Sequence, residues 1–107
     1  VVFISLNNIY FNKEGKYHPH FTEKQLGFVN NYLQFVPENK LVVLMMHAPI
    51  VSCDNREKMY QIIQNRKQTF SISGHVHEQM NLFVNKEMGW GGNEPHHHLV
   101  NATVCGS

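Results

Sequence analysis

One run, Lys40-Leu41-Val42-Val43-Leu44-Met45-Met46, does most to limit the folds open to this chain. Beyond Lys40 it is continuously apolar without polar alternation, and prolines at 37 and 49 bracket it. A half-buried strand alternates, and a strand covered on both faces does not. The run is therefore expected to be an inner strand of a layered α/β protein, ending at His47-Ala48-Pro49.

The rest of the chain falls into place around it. Residues 1–10 open apolar and read as a buried strand that stops at or just after Asn7-Asn8. Residues 11–21, with Gly15 and Pro19, read as a loop. Thr22 opens a helix, with Gln25 completing a capping-box pattern. Leu26, Val29, Leu33 and Val36 share one face of that helix, and Pro37 stops it. A second helix is expected over residues 55–65, capped by Asp54 or Asn55, with Met59, Ile62 and Ile63 inward. Strands follow at 69–73, 79–84 and 96–105, and a long turn or flap containing Gly89-Trp90-Gly91-Gly92 separates the last two. The order β-α-β-α-β-β-β predicts an α/β fold with a mixed sheet, the helices crossing between parallel strands.

Histidine is the compositional outlier, eight residues of 107. It is the commonest protein metal ligand and titrates near neutrality. Two histidine segments are delivered alike: His47 follows the strand at 40–46, and Gly74-His75-Val76-His77 follows the strand at 69–73. Ligands of open α/β sheets sit beyond the carboxyl ends of the strands. Neighbouring strands would bring His47 and His75 together there. In an extended segment His75 and His77 point to one side, while Val76 turns away to pack. Imidazole nitrogens bind zinc at about 2.0–2.1 Å and also suit iron and nickel. Such a pair can also serve two ions held about 3.5–4 Å apart.

His47-x-Pro49 and Gly74-His75-x-His77, each after a strand, resemble the last two motifs of the calcineurin-like metallophosphoesterases. Leu6-Asn7-Asn8-Ile9-Tyr10 and Thr22-Glu23-Lys24-Gln25-Leu26 resemble the strand and helix that open the same half of that domain. The resemblance runs through nearly the whole chain in order. It implies a partial calcineurin-like phosphoesterase domain over residues 1–107, half of a four-layer α/β/β/α sandwich. It also implies that His47 and His75 ligate one divalent ion and His77 a second, the ions being manganese, zinc or iron. The implied reaction is hydrolysis of a phosphomonoester or phosphodiester by a metal-bound hydroxide.

The family's Asp-x-His, Gly-Asp-x-x-Asp and Gly-Asn-His motifs do not occur in these residues, and the sole aspartate, Asp54, lies in none of them. The bridging carboxylate and the catalytic histidine would thus come from elsewhere, with no catalytic residue in this chain. Val1-Val2-Phe3-Ile4 opens in mid-strand, so the chain reads as part of a longer protein. By itself it is expected to bind metal weakly and to hydrolyse little, and to pair with the missing N-terminal half or with itself through exposed sheet. The alternative reading is a non-catalytic histidine-rich metal-binding or interaction module.

The remaining features are assigned ordinary roles. His96, His97 and His98 lie on a strand, so at most two share a side, and they read as an exposed surface tract. His18 and His20 read as surface loop residues, Trp90 as packed on the core, and Cys53 and Cys105 as buried thiols. Nine basic residues against eight acidic give a formal charge of +1, which offers no electrostatic case for nucleic acid or a membrane surface. No apolar run approaches the ~20 residues that span a bilayer.

Overall fold

Four strands of the chain point the same way: β1 (Val2–Leu6), β4 (Val42–Met46), β5 (Thr69–Ser73) and β7 (His96–Val100). In the computed structural model, which describes residues 1–11, 17–74 and 79–101, they lie side by side as β1-β4-β5-β7. β6 (Met80–Val84) closes the far edge antiparallel to β7. The result is an α/β fold with one mixed five-stranded sheet and two helices, α1 (Glu23–Leu33) and α2 (Arg56–Ile63). No helix among the described residues is long and apolar enough to cross a membrane.

Both helices lie on one face of the sheet. The steps β1 to β4 and β4 to β5 go in the same direction across it, and crossovers of one hand then place their helices on the same side. Leu26, Val29 and Leu33 of α1 and Met59, Tyr60 and Ile63 of α2 share a core with Ile4, Leu6, Val42, Leu44, Met46 and Val84. The opposite face carries Val43, Met45, Phe70, Ile72 and Leu99, all half-buried. At its two edges Phe3 is 64% and Phe83 57% exposed. The continuous apolar run over β4 reflects this, since both of its faces carry apolar side chains although the helices cover only one.

The start of α1 matches the sequence pattern in detail. Thr22 Oγ1 accepts from the Gln25 N–H at 3.2 Å, and Gln25 Oε1 accepts from the Thr22 N–H at 3.1 Å. The other end is held from outside the helix: the Arg66 guanidinium donates to the carbonyls of Leu33, Val36 and Pro37 at 3.4, 3.3 and 2.6 Å. These are carbonyls that no further helical turn can satisfy.

Several expectations are corrected. Residues 11–21 are not simply a loop, because β2 (Ile9–Phe11) and β3 (Tyr17–Pro19) pair as a small antiparallel hairpin. α2 is shorter than 55–65, and its fully buried residues are Met59, Tyr60 and Ile63, with Ile62 only partly buried. Ile62 packs against the margin of this core, while Tyr60 has the ring of Trp90 roughly perpendicular to it at 5.6 Å. Asn55 stands at the N-cap of α2 without capping it. Its side chain accepts from the Phe21 N–H at 3.0 Å and donates to the Phe21 carbonyl at 2.7 Å, tying the two crossover loops together. The last strand ends at Val100; residues 102–107, including Cys105, lie outside the described residues.

Candidate functional site at the carboxyl rim

The parallel register places the ends of β4 and β5 level: Met46 lies opposite Ser73. His47 and Gly74 therefore leave adjacent strands at the same rim, where the sequence places its candidate ligands. His75 and His77 lie outside the described residues. Among the described residues no group of three or more His, Cys, Asp or Glu side chains is placed to hold a metal ion. His47, the one expected ligand within the described residues, leaves β4 at this rim with an imidazole donor of the kind that suits zinc or iron.

The turn that carries His47 is held by a residue that the sequence marks only as the end of the first strand. Asn8, fully buried just past β1, accepts through Oδ1 from the backbone N–H groups of His47 at 3.1 Å and Ala48 at 2.9 Å. Its Nδ2 donates to the Ala48 carbonyl at 2.8 Å and lies 3.3 Å from Cys53 Sγ. One amide thus satisfies the backbone of the His47-Ala48 turn, which has left the sheet ladder and is buried from water at Ala48. Cys53 is buried as expected, and burial pushes its thiol up to about 11, so it is neutral and unreactive near pH 7.

The segment that follows β3 reaches the same rim. The His20 N–H donates to the Asn8 carbonyl at 2.9 Å, and His20 Nδ1 stands 2.7 Å from Asp54 Oδ1. His20 is half-buried, so its expected surface status holds only in part. The side chain of His18 is outside what the structure describes.

The histidine triplet is the clearest correction. His96 and His98 are 1% and 0% exposed, and only His97 turns to the open face, so this is not a surface tract. His97 stacks on Phe83 at 4.8 Å, tilts against Phe70 at 4.9 Å, and places Nε2 2.8 Å from Asn81 Oδ1. On the helix side, His96 bridges Thr69 and Ser71, with both contacts at 2.7 Å. His98 bridges Ser71 at 2.5 Å and Ser73 at 2.8 Å. Every ring nitrogen of these two has a hydroxyl partner, which is the condition for burying imidazole at all. Burial chiefly, with the neighbouring His97 adding to it, lowers His96 to about 4. Burial, then His96 and His97, lowers His98 to about 3, so both rings are neutral near pH 7. The sequence signal was present in Thr69-x-Ser71-x-Ser73 and His96-x-His98, two polar sets of period two on strands that pair.

The glycine-rich segment builds a wall beside this array. A short 3₁₀ turn, Lys86–Met88, ends at Gly89, whose φ of 95° lies in the left-handed region that side chains disfavour. Trp90 then packs inward, 4% exposed, its ring 5.0 Å from that of His96 and its indole N–H donating to the Glu94 carbonyl at 2.7 Å. A cavity of about 640 Å³ opens here, lined by Gln64, Arg66, Thr69, Trp90, Glu94 and His97 among others. It lies at the amino ends of β4, β5 and β7, across the sheet from His47. The candidate site rests on the rim and not on this cavity, because strand polarity sends the chain from β4 into His47 and from β5 into Gly74 at the carboxyl ends.

No family model matches the sequence, and no curated protein does.

Proposed function

We propose that this chain is the C-terminal portion of a binuclear-metal-dependent phosphoesterase that hydrolyses phosphomonoesters or phosphodiesters. The observation that carries the reading is the level, parallel pairing of β4 and β5, whose ends lead into His47 and into Gly74-His75. Asn8 adds rigidity to the His47 turn, as a ligand bond of roughly 2 Å demands.

In this reading His47 and His75 hold one divalent ion and His77 holds its neighbour. Bound ions would supply Lewis-acid stabilisation of phosphoryl charge and an ionised water. The chain's own part is to hold three imidazoles at one rim. The apolar open face, with Phe3 and Phe83 at its edges, is then the inner surface of a four-layer α/β/β/α sandwich, covered by the half of the domain that bears the carboxylates and the catalytic histidine. The chain alone binds metal weakly and turns over little.

Calorimetric titration of the 107-residue chain with Zn²⁺ or Mn²⁺ tests the ligand set. Weak binding of about one ion, lost in His47→Ala and in His75→Ala, supports it; binding indifferent to both substitutions refutes it. Aryl phosphate hydrolysis by this chain at a rate typical of a complete enzyme would refute the claim that the site is only half present.

A further inference from the structure

Five side chains from two strands form an unbroken hydrogen-bonded file on the helix-covered face: Thr69, His96, Ser71, His98 and Ser73. Its contacts are 2.7, 2.7, 2.5 and 2.8 Å. Ser71, Ser73, His96 and His98 are all buried, and only Thr69 is half-buried. Thr69 lines the cavity at the amino end of the sheet, while Ser73 is the last residue of β5 at the carboxyl rim. Four residue steps along a strand separate these ends by about 13 Å.

A file of this composition is more than a satisfied polar core. Each neutral imidazole has one N–H and one lone pair, and each hydroxyl has one O–H and an accepting oxygen. Burial holds both rings neutral near pH 7. Ser71 sits between two ring nitrogens with a single proton to give. Accepting from both rings would leave its buried O–H without an acceptor among the described residues, so Ser71 donates to one ring and accepts from the other, and the two rings share a tautomer. Only two complete arrangements exist. In one, both rings carry the proton on Nδ1 and every donor points toward Thr69; in the other both carry it on Nε2 and every donor points toward Ser73.

We propose that Thr69, His96, Ser71, His98 and Ser73 form a proton relay whose two imidazoles change tautomer together, linking the carboxyl rim to the cavity at the opposite end of the sheet. Starting from the Nδ1–H arrangement, a proton arriving at Ser73 Oγ displaces the hydroxyl proton onto His98 Nε2. The His98 Nδ1 proton passes to Ser71 Oγ, and the Ser71 proton passes to His96 Nε2. The His96 Nδ1 proton passes to Thr69 Oγ1, whose own proton leaves into the cavity. One proton enters and one departs, no member changes charge, and the file is left in the Nε2–H arrangement, ready for the reverse passage. The same logic makes the donor or acceptor state demanded at Ser73 legible at Thr69. The relay does not depend on the phosphoesterase reading.

The test uses ¹⁵N chemical shifts of the ring nitrogens in the full 107-residue chain at neutral pH, which report the tautomer of each histidine. Ser73→Ala removes the partner of His98 Nε2, and an orphaned lone pair is better tolerated than an orphaned N–H. Both rings, including the remote His96, should become Nδ1–H. Thr69→Val removes the partner of His96 Nδ1, and both rings should become Nε2–H. Adding Ser71→Ala to either variant should break the link, so that the ring remote from the end substitution no longer responds. A His96 tautomer unmoved by Ser73→Ala, together with a His98 tautomer unmoved by Thr69→Val, would overturn the relay. If one end substitution prevents folding, the tautomer found at the remote ring in the other decides: His96 as Nε2–H in Ser73→Ala, or His98 as Nδ1–H in Thr69→Val, overturns the relay.

Discussion

At the scale of single residues, Asn8 and the two buried histidines dominate, and each makes a measurable claim. Asn8→Ala leaves the N–H groups of His47 and Ala48 and the Ala48 carbonyl without their partner. With about 1–3 kcal/mol for a buried group left unsatisfied, the variant should lose about 2–4 kcal/mol in urea unfolding, and the rim should loosen with it. A loss well under 1 kcal/mol would mean that water replaces the amide. His96 and His98 make stability depend on pH. Their folded values, about 4 and about 3, lie below the ordinary 6.5, so between those limits the unfolded chain binds more protons. Their contribution is complete above about pH 6.5 and is lost as pH falls through that window, with a slope of up to about 2.7 kcal/mol per pH unit where both act. Urea midpoints at pH 7, 6 and 5 should show the decline. His98→Gln should roughly halve the slope, whatever it does to stability at pH 7.

Among the elements, the helices obey local rules and the last strands do not. The Thr22 cap and its reciprocal Gln25 bond are local, and Thr22→Ala should cost about 1 kcal/mol by thermal or urea unfolding. Leu26, Val29 and Leu33 fall on the inner face as their spacing indicates, for the same reason: a helix of period 3.6 facing a sheet has one buried stripe. In β5 and β7 the ordinary reading of alternation is inverted. Phe70 and Ile72 face the open side, and Ser71, Ser73, His96 and His98 face the helices. Pairing makes this inversion tolerable. Ser71 opposite His98, in a register that also brings Thr69 and His96 within reach, gives each polar atom a partner that neither strand has by itself.

For the molecule as a whole, the distribution of apolar surface is the telling property. One face of the sheet is sealed by α1 and α2, while the other ends in Phe3 and Phe83, more than half exposed. If the second face is built to be covered, the chain alone should self-associate through it. Phe3→Lys and Phe83→Lys should then shift sedimentation toward monomer, the first with less than about 0.5 kcal/mol change in stability and the second with about 0.5–1.5 kcal/mol, since the stack on His97 goes with it. Unchanged association in the double variant would remove the case for a covered face.

The sequence by itself determined the order of the main elements, the strand ends that lead into His47 and Gly74, and the capping of α1; that these two strands are neighbours was decided by the sheet. Periodicity, prolines and caps are local signals and need no knowledge of neighbours. Only the tertiary structure decided that Asn8 holds the His47 turn from the end of the neighbouring strand. It alone decided that His96 and His98 lie inside while Phe70 and Ile72 face out, and that residues 9–11 and 17–19 pair. These are long-range outcomes of hydrogen-bond satisfaction. Whether a polar side chain can be buried depends on which donor or acceptor another strand brings to it, and alternation within one strand does not carry that information.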